Sequence, residues 1–200
     1  MSDYPVKVTY GPDEGQNQLW GIPLVGVIVR SILCIPQFVL LAVLGLVMYV
    51  IVLVSWIPVL VSGRQATWIY QVAGGYLRLS TRLYAYILLI TGRYPPFWIE
   101  GEHTVDVILD QTEAQNQLWG IPILGILVRL VLLIPHLVVL TLLGIVVGIL
   151  MLFTWVPVLL NGRTSGVMVR WVGGYYRWSL RVTAYAMLLT GRYPPFSLDD

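Results

Sequence analysis

The chain has 200 residues, of which 58% are hydrophobic and 11% are charged, and its mean hydropathy is +0.79. A soluble domain carries about 25% charged residues, so this chain cannot cover its surface with polar groups, and an ordinary soluble fold is excluded. The formal net charge of +2 is uninformative as a sum, and we expect no nucleic-acid partner.

The chain is a tandem duplication. Gln16–Pro23 returns letter for letter as Gln115–Pro122, and the same offset (115 − 16 = 99) holds without a gap to the end of the chain. Self-similarity at a fixed period indicates two structural copies. We predict a first repeat over residues 1–99 and a second repeat over residues 100–200, each with the same elements.

Each repeat begins with an alternating segment, in which apolar residues at every second position predict a half-buried strand. These residues are Val6, Val8 and Tyr10 in the first repeat, and Val105, Val107 and Leu109 in the second. Two strands alone are marginal, so we expect their edges to pair into a larger sheet or a homo-oligomer.

An apolar segment follows, beginning at Trp20 or Trp119 and interrupted by Pro36 or Pro135. From Trp20 to Trp56, one straight helix would measure about 54 Å, which exceeds the thickness of a membrane. We therefore expect a bend at the proline. The bend leaves a shorter helix of about fifteen residues that lies in the interface or enters the membrane partway.

The longest apolar runs, Phe38–Val61 and its copy Leu137–Leu160, contain no charged residue, and each can cross a hydrocarbon core of about 30 Å. A turn and a last helix of about 25 residues follow each run. Four Gly-Arg pairs predict four helix ends, because glycine adopts the left-handed conformation and arginine faces the negative end of the helix dipole. These pairs are Gly63-Arg64, Gly92-Arg93, Gly162-Arg163 and Gly191-Arg192.

Matching arginines in the two repeats predict that both insert with the same orientation. Each repeat then crosses an even number of times, most simply twice, and the termini and the linker share one side, the cytoplasmic side. The predicted fold is an all-α integral protein of the cell membrane with two tandem like-oriented repeats. Each repeat is a two-helix transmembrane hairpin, preceded by a short interfacial or re-entrant helix and a short β-strand.

Tryptophans near the ends of these segments are typical of anchoring at membrane surfaces. Trp56 and Trp68 bracket the turn at Gly63, and Trp98 follows the last helix of the first repeat. The predicted interface anchors are Trp20, Trp56, Trp68, Trp98, Trp119 and Trp155.

Six arginines lie within or beside apolar segments, while all ten acidic residues lie outside them. The six are Arg30, Arg78 and Arg82, and their copies Arg129, Arg177 and Arg181. A charge at the centre of a bilayer costs roughly 2.5–3.5 kcal/mol, so each guanidinium group needs a partner. The candidates are lipid phosphates, carboxylates of the terminal segments, exposed helix carbonyls and anions in a water-filled cavity.

These candidates give two hypotheses for the function. In the first, the protein is a non-enzymatic membrane scaffold or accessory subunit whose six arginines bind lipid phosphates. In the second, Arg78, Arg82, Arg177 and Arg181 line the polar cavity of an anion-permeable channel or transporter. The expected partners are membrane lipids and further copies of the chain or a larger membrane complex.

The remaining residues do not predict an enzyme. His103, His136 and Cys34 are dispersed in the sequence, so no metal-ligand spacing is present. The serines and threonines have no plausible activating histidine, and no carboxylate pair lies in an apolar segment. We therefore predict no catalytic site, no metal and no cofactor.

Three features recur in both repeats. They are Thr-Gly-Arg-Tyr-Pro-Pro-Phe at residues 91–97 and 190–196, Ile-Pro before the long apolar run, and Arg-x-x-x-Arg on the last helix. In these features the chain resembles a prokaryotic membrane-protein family, domain of unknown function 4389. The resemblance covers nearly the whole chain, once per repeat, and implies a membrane protein without implying an activity.

Overall fold

A computed structural model describes residues 4–11, 15–97, 101, 103–111 and 114–199. The fold is mostly helical, with two repeated series of elements and a two-stranded sheet. The first repeat contains β1 (Val6–Tyr10), a 3₁₀ helix (Gln18–Gly21), α1 (Val25–Leu33), α2 (Ile35–Val54), α3 (Trp56–Ser62) and α4 (Thr67–Ile87). The second repeat contains β2 (Val105–Leu109), a 3₁₀ helix (Gln117–Gly120), α5 (Leu124–Met151), α6 (Trp155–Asn161) and α7 (Gly166–Ala186).

The predicted strands are confirmed, and they pair with each other. β1 and β2 are antiparallel, and Val8 pairs with Val107, its own counterpart in the other repeat. The register is therefore symmetric, and a local two-fold axis passes between these two valines, perpendicular to the sheet. The valines of both strands lie on a buried face, whereas Lys7 and Ile108 on the opposite face are exposed.

Each strand lies along the last helix of the other repeat and runs antiparallel to it. Residue numbers rise along β2 while those of its partners on α4 fall. The contacts are Arg82 Nε to Val105 O (3.1 Å), Arg78 Nε to Val107 O (2.9 Å) and Tyr70 Oη to Asp110 O (2.5 Å). β1 contacts α7 in the same order, from Arg181 to Gly173. The sheet therefore covers the middle of both helices.

The apolar helices lie on the other side of α4 and α7 from the sheet. Gly45 of α2 lies against the ring of Tyr76, and Leu41 packs against the buried cluster that contains Leu83. At about 100° per residue, Tyr76 and Leu83 lie on the opposite face of α4 from Arg78. α2 runs antiparallel to α4, and α5 packs against α7 in the corresponding way. The protein thus has three layers: the sheet, then α4 and α7, then α2 and α5.

The two repeats also interlock through their 3₁₀ helices. The 3₁₀ helix of the first repeat packs on α6, and that of the second repeat packs on α3. A Cβ added to Gly21 would lie 2.2 Å from Leu159 N, and one added to Gly120 would lie 2.3 Å from Leu60 N. Glycine is therefore required where these backbones meet. This requirement accounts for part of the letter-for-letter recurrence.

The predicted interruption of the helix at the proline is present in the first repeat and absent from the second. α1 ends at Leu33 and α2 begins at Ile35, so the first helix breaks just before Pro36. α5 instead continues through Pro135 as one helix of 28 residues. The shorter helix before the break has 9 residues, fewer than expected, because the preceding segment forms the 3₁₀ helix and a turn.

Two of the four predicted helix ends are confirmed. Gly63 and Gly162 follow α3 and α6 in the left-handed conformation, with φ of 66° and 63°. α4 and α7 end earlier than predicted, and positive φ angles of 62° and 59° fall on Leu89 and Leu188. The predictions that failed are the helix ends at Gly92 and Gly191.

The third layer exposes a large apolar surface. Among the described residues, two stretches are long and apolar enough to cross a membrane, Ile35–Ser62 and Leu124–Asn161, and no other described helix qualifies. Their hydropathies are 2.9 and 2.8, and 17% of the apolar window in each is buried. Leu46 and Leu142, near the middle of these stretches, are 71% and 61% exposed.

Candidate functional site

The arginines of α4 bind the main chain of β2. Arg78 Nε donates to Val107 O at 2.9 Å, and Arg82 Nε donates to Val105 O at 3.1 Å. Arg82 also donates to a carboxylate oxygen of Asp106 at 3.1 Å, and Arg78 Nε lies 3.5 Å from the same oxygen. Arg82 is 2% exposed, so these partners satisfy its charge inside the protein.

The arginines of α7 bind β1 in the matching way. Arg177 donates to Val8 O at 3.2 Å, and Arg181, which is fully buried, donates to Val6 O at 3.4 Å. Two carbonyls of the C-terminal segment accept from the same arginines, Leu198 O from Arg177 (2.8 Å) and Asp199 O from Arg181 (3.0 Å).

The strand acceptors are the edge carbonyls of the sheet. Along an antiparallel pair, carbonyls point alternately toward the partner strand and away from it. Val8 and Val107 each give their carbonyl to an arginine, so these carbonyls point outward. An open edge presents unpaired groups to another chain, and here guanidinium groups occupy them. Extension of the sheet through these edges, as expected from the sequence, would have to displace the arginines.

Arg30 and Arg129 occupy a second kind of site, at the ends of α4 and α7. Arg30 is fully buried and donates to Tyr86 O at 2.5 Å, to Thr91 O at 2.9 Å and to Gln16 Oε1 at 2.8 Å. A positive charge at the C-terminal end of a helix complements the helix dipole. Arg129 repeats these bonds with Tyr185 O (2.6 Å), Thr190 O (2.8 Å) and Gln115 Oε1 (2.9 Å).

Aromatic rings cover these two guanidinium groups. The Arg30 guanidinium carbon lies 5.0 Å from the centroid of the Trp20 ring and 4.3 Å from that of Tyr86. The corresponding distances from Arg129 are 4.9 Å to Trp119 and 4.4 Å to Tyr185. Cation–π contact of this kind stabilises a charge that has left water. Two predicted interface anchors therefore contact a buried arginine.

The other predicted anchors have different surroundings. Trp68 is 53% exposed near the start of α4. Trp56 and Trp155 are partly buried and begin α3 and α6. Trp98 lies outside the described residues. Anchoring by these tryptophans stays a prediction.

Gln16 and Gln115 are site residues that the sequence interpretation missed. Besides accepting from Arg30, Gln16 donates from Nε2 to Leu89 O at 2.8 Å and from its main-chain N to Gly162 O at 2.7 Å. It therefore joins the end of α4 to the end of α6 in the other repeat. The exact recurrence of the segment marked these glutamines without indicating their role.

The same contacts explain Gly92 and Gly191. A Cβ added to Gly92 would lie 2.8 Å from Gln16 Cβ, and one added to Gly191 would lie 3.1 Å from Gln115 Cβ. These glycines permit the chains to approach closely, whereas the sequence predicted that they close a helix.

The tyrosine of each Tyr-Pro-Pro segment contacts the helical turn just before Pro36 or Pro135. Tyr94 Oη donates to Leu33 O at 3.0 Å, and Tyr193 Oη donates to Leu132 O at 2.9 Å. A proline inside a helix removes a main-chain donor and disturbs the preceding turn, and the phenol donates to a carbonyl of that turn. This explains why Ile-Pro and Tyr-Pro-Pro recur together.

The residue that follows Pro36 or Pro135 is polar and buried in both repeats. Gln37 donates to the hydroxyl of Tyr94. His136, its counterpart, accepts from Trp178 Nε1 at 3.0 Å and stacks on Phe196 at 3.8 Å between ring centroids. His136 is thus packed among aromatic rings by the Arg-Tyr-Pro-Pro-Phe segment.

Two counterpart residues before the strands have shifted pKa values. Burial, with the charge of Arg82 beside it, lowers the pKa of His103 below its usual 6.5. Burial raises the pKa of Tyr4. Both groups are therefore neutral at pH 7. Tyr4 Oη donates to Arg192 O at 3.0 Å, and His103 Nδ1 accepts from Val105 N at 3.1 Å.

The arrangement is suited to holding the protein together. All six predicted arginines donate to main-chain carbonyls, which link the strands, the helix ends and the two repeats. In the part of the chain that the structure describes, no group of three or more His, Cys, Asp or Glu side chains could hold a metal ion.

Two segments of the chain, residues 25–99 and 124–197, match the family described as a domain of unknown function, DUF4389. Together the two matches cover more than half of the chain, one in each repeat. No curated protein and no solved structure matches the chain. The family description names no activity, ligand or partner.

Proposed function

The chain belongs to the DUF4389 family, in two tandem copies, and we propose that it is a non-enzymatic membrane scaffold or accessory subunit that embeds from one side of the bilayer. The observation that carries this proposal is the layered distribution of polarity. The sheet forms one outer layer, and the apolar helices α2 and α5 form the other. Large exposed apolar surfaces on a protein are contact surfaces, and hydropathies of 2.9 and 2.8 match a hydrocarbon environment.

The local two-fold axis favours helices that lie along the membrane over helices that cross it. Rotation by 180° about an axis perpendicular to the sheet reverses every direction in the plane of the sheet. α4 and α7 follow the strands, and α2 and α5 pack antiparallel to them, so each helix runs opposite to its counterpart. If α2 crossed the bilayer, α5 would cross it in the opposite direction, and the repeats would be inverted.

The alternative of crossing helices would also bury the sheet. The sheet covers the middle of α4 and α7, so Lys7 and Asp106 would lie near the centre of the bilayer, where charge is costly. With the axis along the membrane normal, the sheet faces water and the apolar layer faces lipid. Both repeats then have the same orientation, as their matching arginines predict. Repeats of like orientation require an even number of crossings each, and zero meets this requirement as well as two does.

In this arrangement the termini, the linker and the turns after α3 and α6 lie on one side of the bilayer. The distribution of arginines favours the cytoplasmic side of the cell membrane. Scaffolding also implies partners, which we propose to be membrane lipids together with further copies of the chain or subunits of a larger complex. Because arginines occupy the sheet edges, such contacts would use the exposed face of the sheet at Lys7 and Ile108.

A double variant in the apolar layer and a control on the sheet test the embedding. In Leu46→Glu/Leu142→Glu, each glutamate would place a charge in the lipid-facing layer, at a cost of roughly 2.5–3.5 kcal/mol per residue. Ile108→Glu is the control, because Ile108 is an exposed apolar residue (48%) on the sheet. We expect alkaline carbonate to release the double variant from vesicles and to leave the control in the membrane. Equal retention of both variants, each folded in detergent by circular dichroism, would contradict the proposal.

The anion channel receives less support from this geometry. Arg78, Arg82, Arg177 and Arg181 all donate to carbonyls, and Arg82 and Arg181 are almost fully buried. A chloride flux assay on reconstituted protein separates the two functions. The scaffold predicts a flux no higher than that of empty liposomes, whereas an arginine-dependent flux would establish the channel.

A further inference from the structure

One buried cluster has different chemistry in the two repeats. We call it the His136 contact, and it consists of His136 on α5, Trp178 on α7 and the rings of Tyr193 and Phe196 in the C-terminal segment. The corresponding residues of the first repeat are Gln37, Leu79, Tyr94 and Phe97. The second repeat therefore has a side chain that titrates near neutral pH where the first repeat has an amide.

The hydrogen bond from Trp178 fixes the protonation state of His136. Trp178 Nε1 can only donate, and it lies 3.0 Å from His136 Nδ1, so Nδ1 is the unprotonated nitrogen. The proton of the neutral ring is then on Nε2, which is buried and has no hydrogen-bond partner among the described residues. The arrangement in the structure, which we call the closed form, thus requires a neutral imidazole.

A proton on Nδ1 would place two donors opposite each other. The imidazolium ion donates from both nitrogens, so Nδ1–H and the indole N–H of Trp178 would face each other without an acceptor. His136 is fully buried, and Trp178 packs in the apolar cluster of Leu133, Leu140 and Val182. An unpaired charge or donor in such surroundings is costly, so the closed form excludes the proton.

The surrounding elements provide no opposite charge to compensate the imidazolium ion. From the C-terminal segment, Tyr193 faces the ring at 4.9 Å between centroids, and its hydroxyl donates to Leu132 O. In the described part of the chain, no charged side chain acts on His136. The buried arginines of α5 and α7 donate to main-chain carbonyls, and they are Arg129 and Arg181.

A single side chain separates the imidazole from the surface. Phe196 stacks on the ring of His136 with 3.8 Å between centroids and 15° between the ring planes, and Phe196 is 53% exposed. The same side chain contacts Trp178, with 5.6 Å between ring centroids. Movement of Phe196 therefore gives solvent access to the imidazole and to the indole together.

We propose that the His136 contact is an acid-sensitive switch. When His136 takes up a proton, Trp178 and Phe196 leave the ring, and α5 separates from α7 at this point, which gives the open form. The first repeat stays closed, because Gln37 and its surroundings do not titrate in this range. The contact lies within one repeat, so its response to acid is the same whether the helices lie along the bilayer or cross it.

The size of the response follows from proton linkage. In the open form a free imidazole titrates near about pH 6.5, whereas the closed form excludes the proton. The open form therefore binds more protons, and acid favours it. The ratio of open to closed molecules should rise roughly tenfold for each pH unit below about 6.5. Since α5 belongs to the apolar layer and α7 holds β1, the switch loosens the attachment of the apolar layer to the sheet in one half of the protein.

Nuclear magnetic resonance of the full chain in detergent micelles tests the switch, because the chain has two histidines and eight tryptophans. The titration of the His136 Cε1–H signal and the solvent exchange of the Trp178 indole proton are followed from about pH 8 to about pH 5. His103→Gln and Trp178→Leu assign the signals. After correction for the intrinsic pH dependence of indole exchange, we expect the protection of the Trp178 proton to fall roughly tenfold per pH unit as His136 titrates.

Two variants that copy residues of the first repeat separate a switch from a purely structural contact. His136→Gln removes the titrating group while its amide oxygen can still accept from Trp178, so the protection should not depend on pH. In Trp178→Leu the imidazole has no bond to give up, and His136 should titrate at a higher pH than in the wild type. His103→Gln is the matched control, and its Trp178 proton should respond to pH as in the wild type.

Four results would overturn the switch. Two concern the wild type, namely a His136 that stays neutral down to about pH 5, and a His136 that titrates without loss of protection at Trp178. The third is the same pH-dependent loss of protection in His136→Gln as in the wild type. The fourth is an unchanged titration midpoint of His136 in Trp178→Leu, which decides the question if His136→Gln does not fold.

Discussion

The unit formed by α4 and β2 and the unit formed by α7 and β1 have the same geometry and different charges. In both, two arginines four residues apart donate to the carbonyls of two valines on a strand from the other repeat. β2 adds Asp106 to this arrangement, whereas the corresponding residue of β1 is Lys7. The carbonyl is therefore the partner common to both units, and the carboxylate is an addition in one of them.

This difference changes how an arginine in an apolar protein should be interpreted. An ion pair is one way to offset the cost of the buried charge. The carboxylate of Asp106, however, is 41% exposed, and solvent-exposed ion pairs contribute little to stability. Main-chain carbonyls at a sheet edge supply buried acceptors without a second charge. We therefore expect variants that remove the arginines to lower the free energy of unfolding more than variants that remove the carboxylate.

The largest effect should come from Arg82→Met and Arg181→Met. Each change leaves a buried edge carbonyl unpaired, and an unsatisfied buried group costs about 1–3 kcal/mol. Since each arginine binds more than one carbonyl, we expect the free energy of unfolding in mixed micelles to fall by about 2–5 kcal/mol in both variants. A large loss in Arg82→Met with no loss in Arg181→Met would show that the carboxylate, and not the carbonyl, stabilises the pairing.

Substitutions where the 3₁₀ helices contact α6 and α3 should lower the stability nearly as much. In Gly21→Ala and Gly120→Ala, the new methyl group would meet the backbone of α6 or α3, and a backbone cannot rotate away as a side chain can. We expect each variant to lose about 1–3 kcal/mol of unfolding free energy. Gly148→Ala is the matched control, because a Cβ at Gly148 meets nothing within 4 Å. Equal stability of all three variants would mean that the backbones at Gly21 and Gly120 are not in close contact with α6 and α3.

Asp106→Asn should have a smaller effect. The amide oxygen can still accept from Val107 N, as the carboxylate does at 2.9 Å, and only the charge is lost. Because the ion pair is partly exposed, we expect a loss of less than about 1 kcal/mol in unfolding free energy. A loss as large as that of Arg82→Met would show that the carboxylate contributes as much to stability as the bonds of the arginine to the carbonyls.

The smallest effect should be the pH dependence that His103 contributes to the unit of β2. The pKa of His103 is lower in the folded protein than its usual 6.5, so the unfolded chain binds the proton more readily, and stability falls as the pH drops through 6.5. The corresponding residue in the other unit is Tyr4, which does not titrate in this range. Thermal unfolding at about pH 7.5 and pH 5.5 should show a smaller pH-dependent difference in His103→Gln than in the wild type. An unchanged difference would assign the dependence to other groups.

The strands and two of the helix ends could be predicted because local chemistry determines them. Alternation at Val6, Val8 and Tyr10 needs no knowledge of the partner strand, and Gly63 closes a helix through its own backbone. The partners of the arginines could not be predicted in the same way. Every residue has a carbonyl, so the sequence around Val6 carries no sign that Arg181 binds there.

The arrangement of the layers was also beyond the sequence. Hydropathy reports that Ile35–Ser62 is long and apolar, and it contains no information about the direction of the helix relative to the sheet. That direction follows from contacts between the repeats, such as those of β1 with α7, which join residues far apart in the chain. The matching arginines set a constraint on orientation that stays a prediction, and two crossings per repeat are one way to meet it.

Labelling of single cysteines from one side of the membrane tests the central claim most directly. In a Cys34→Ala background, Lys7→Cys marks the sheet, and Arg64→Cys and Arg163→Cys mark the turns after α3 and α6. Embedding from one side predicts that a membrane-impermeant maleimide labels all three positions in vesicles of one orientation and none of them in vesicles of the other. Labelling of Arg64→Cys and Arg163→Cys from the side opposite to Lys7→Cys would contradict the account, because α2 and α5 would then cross the bilayer.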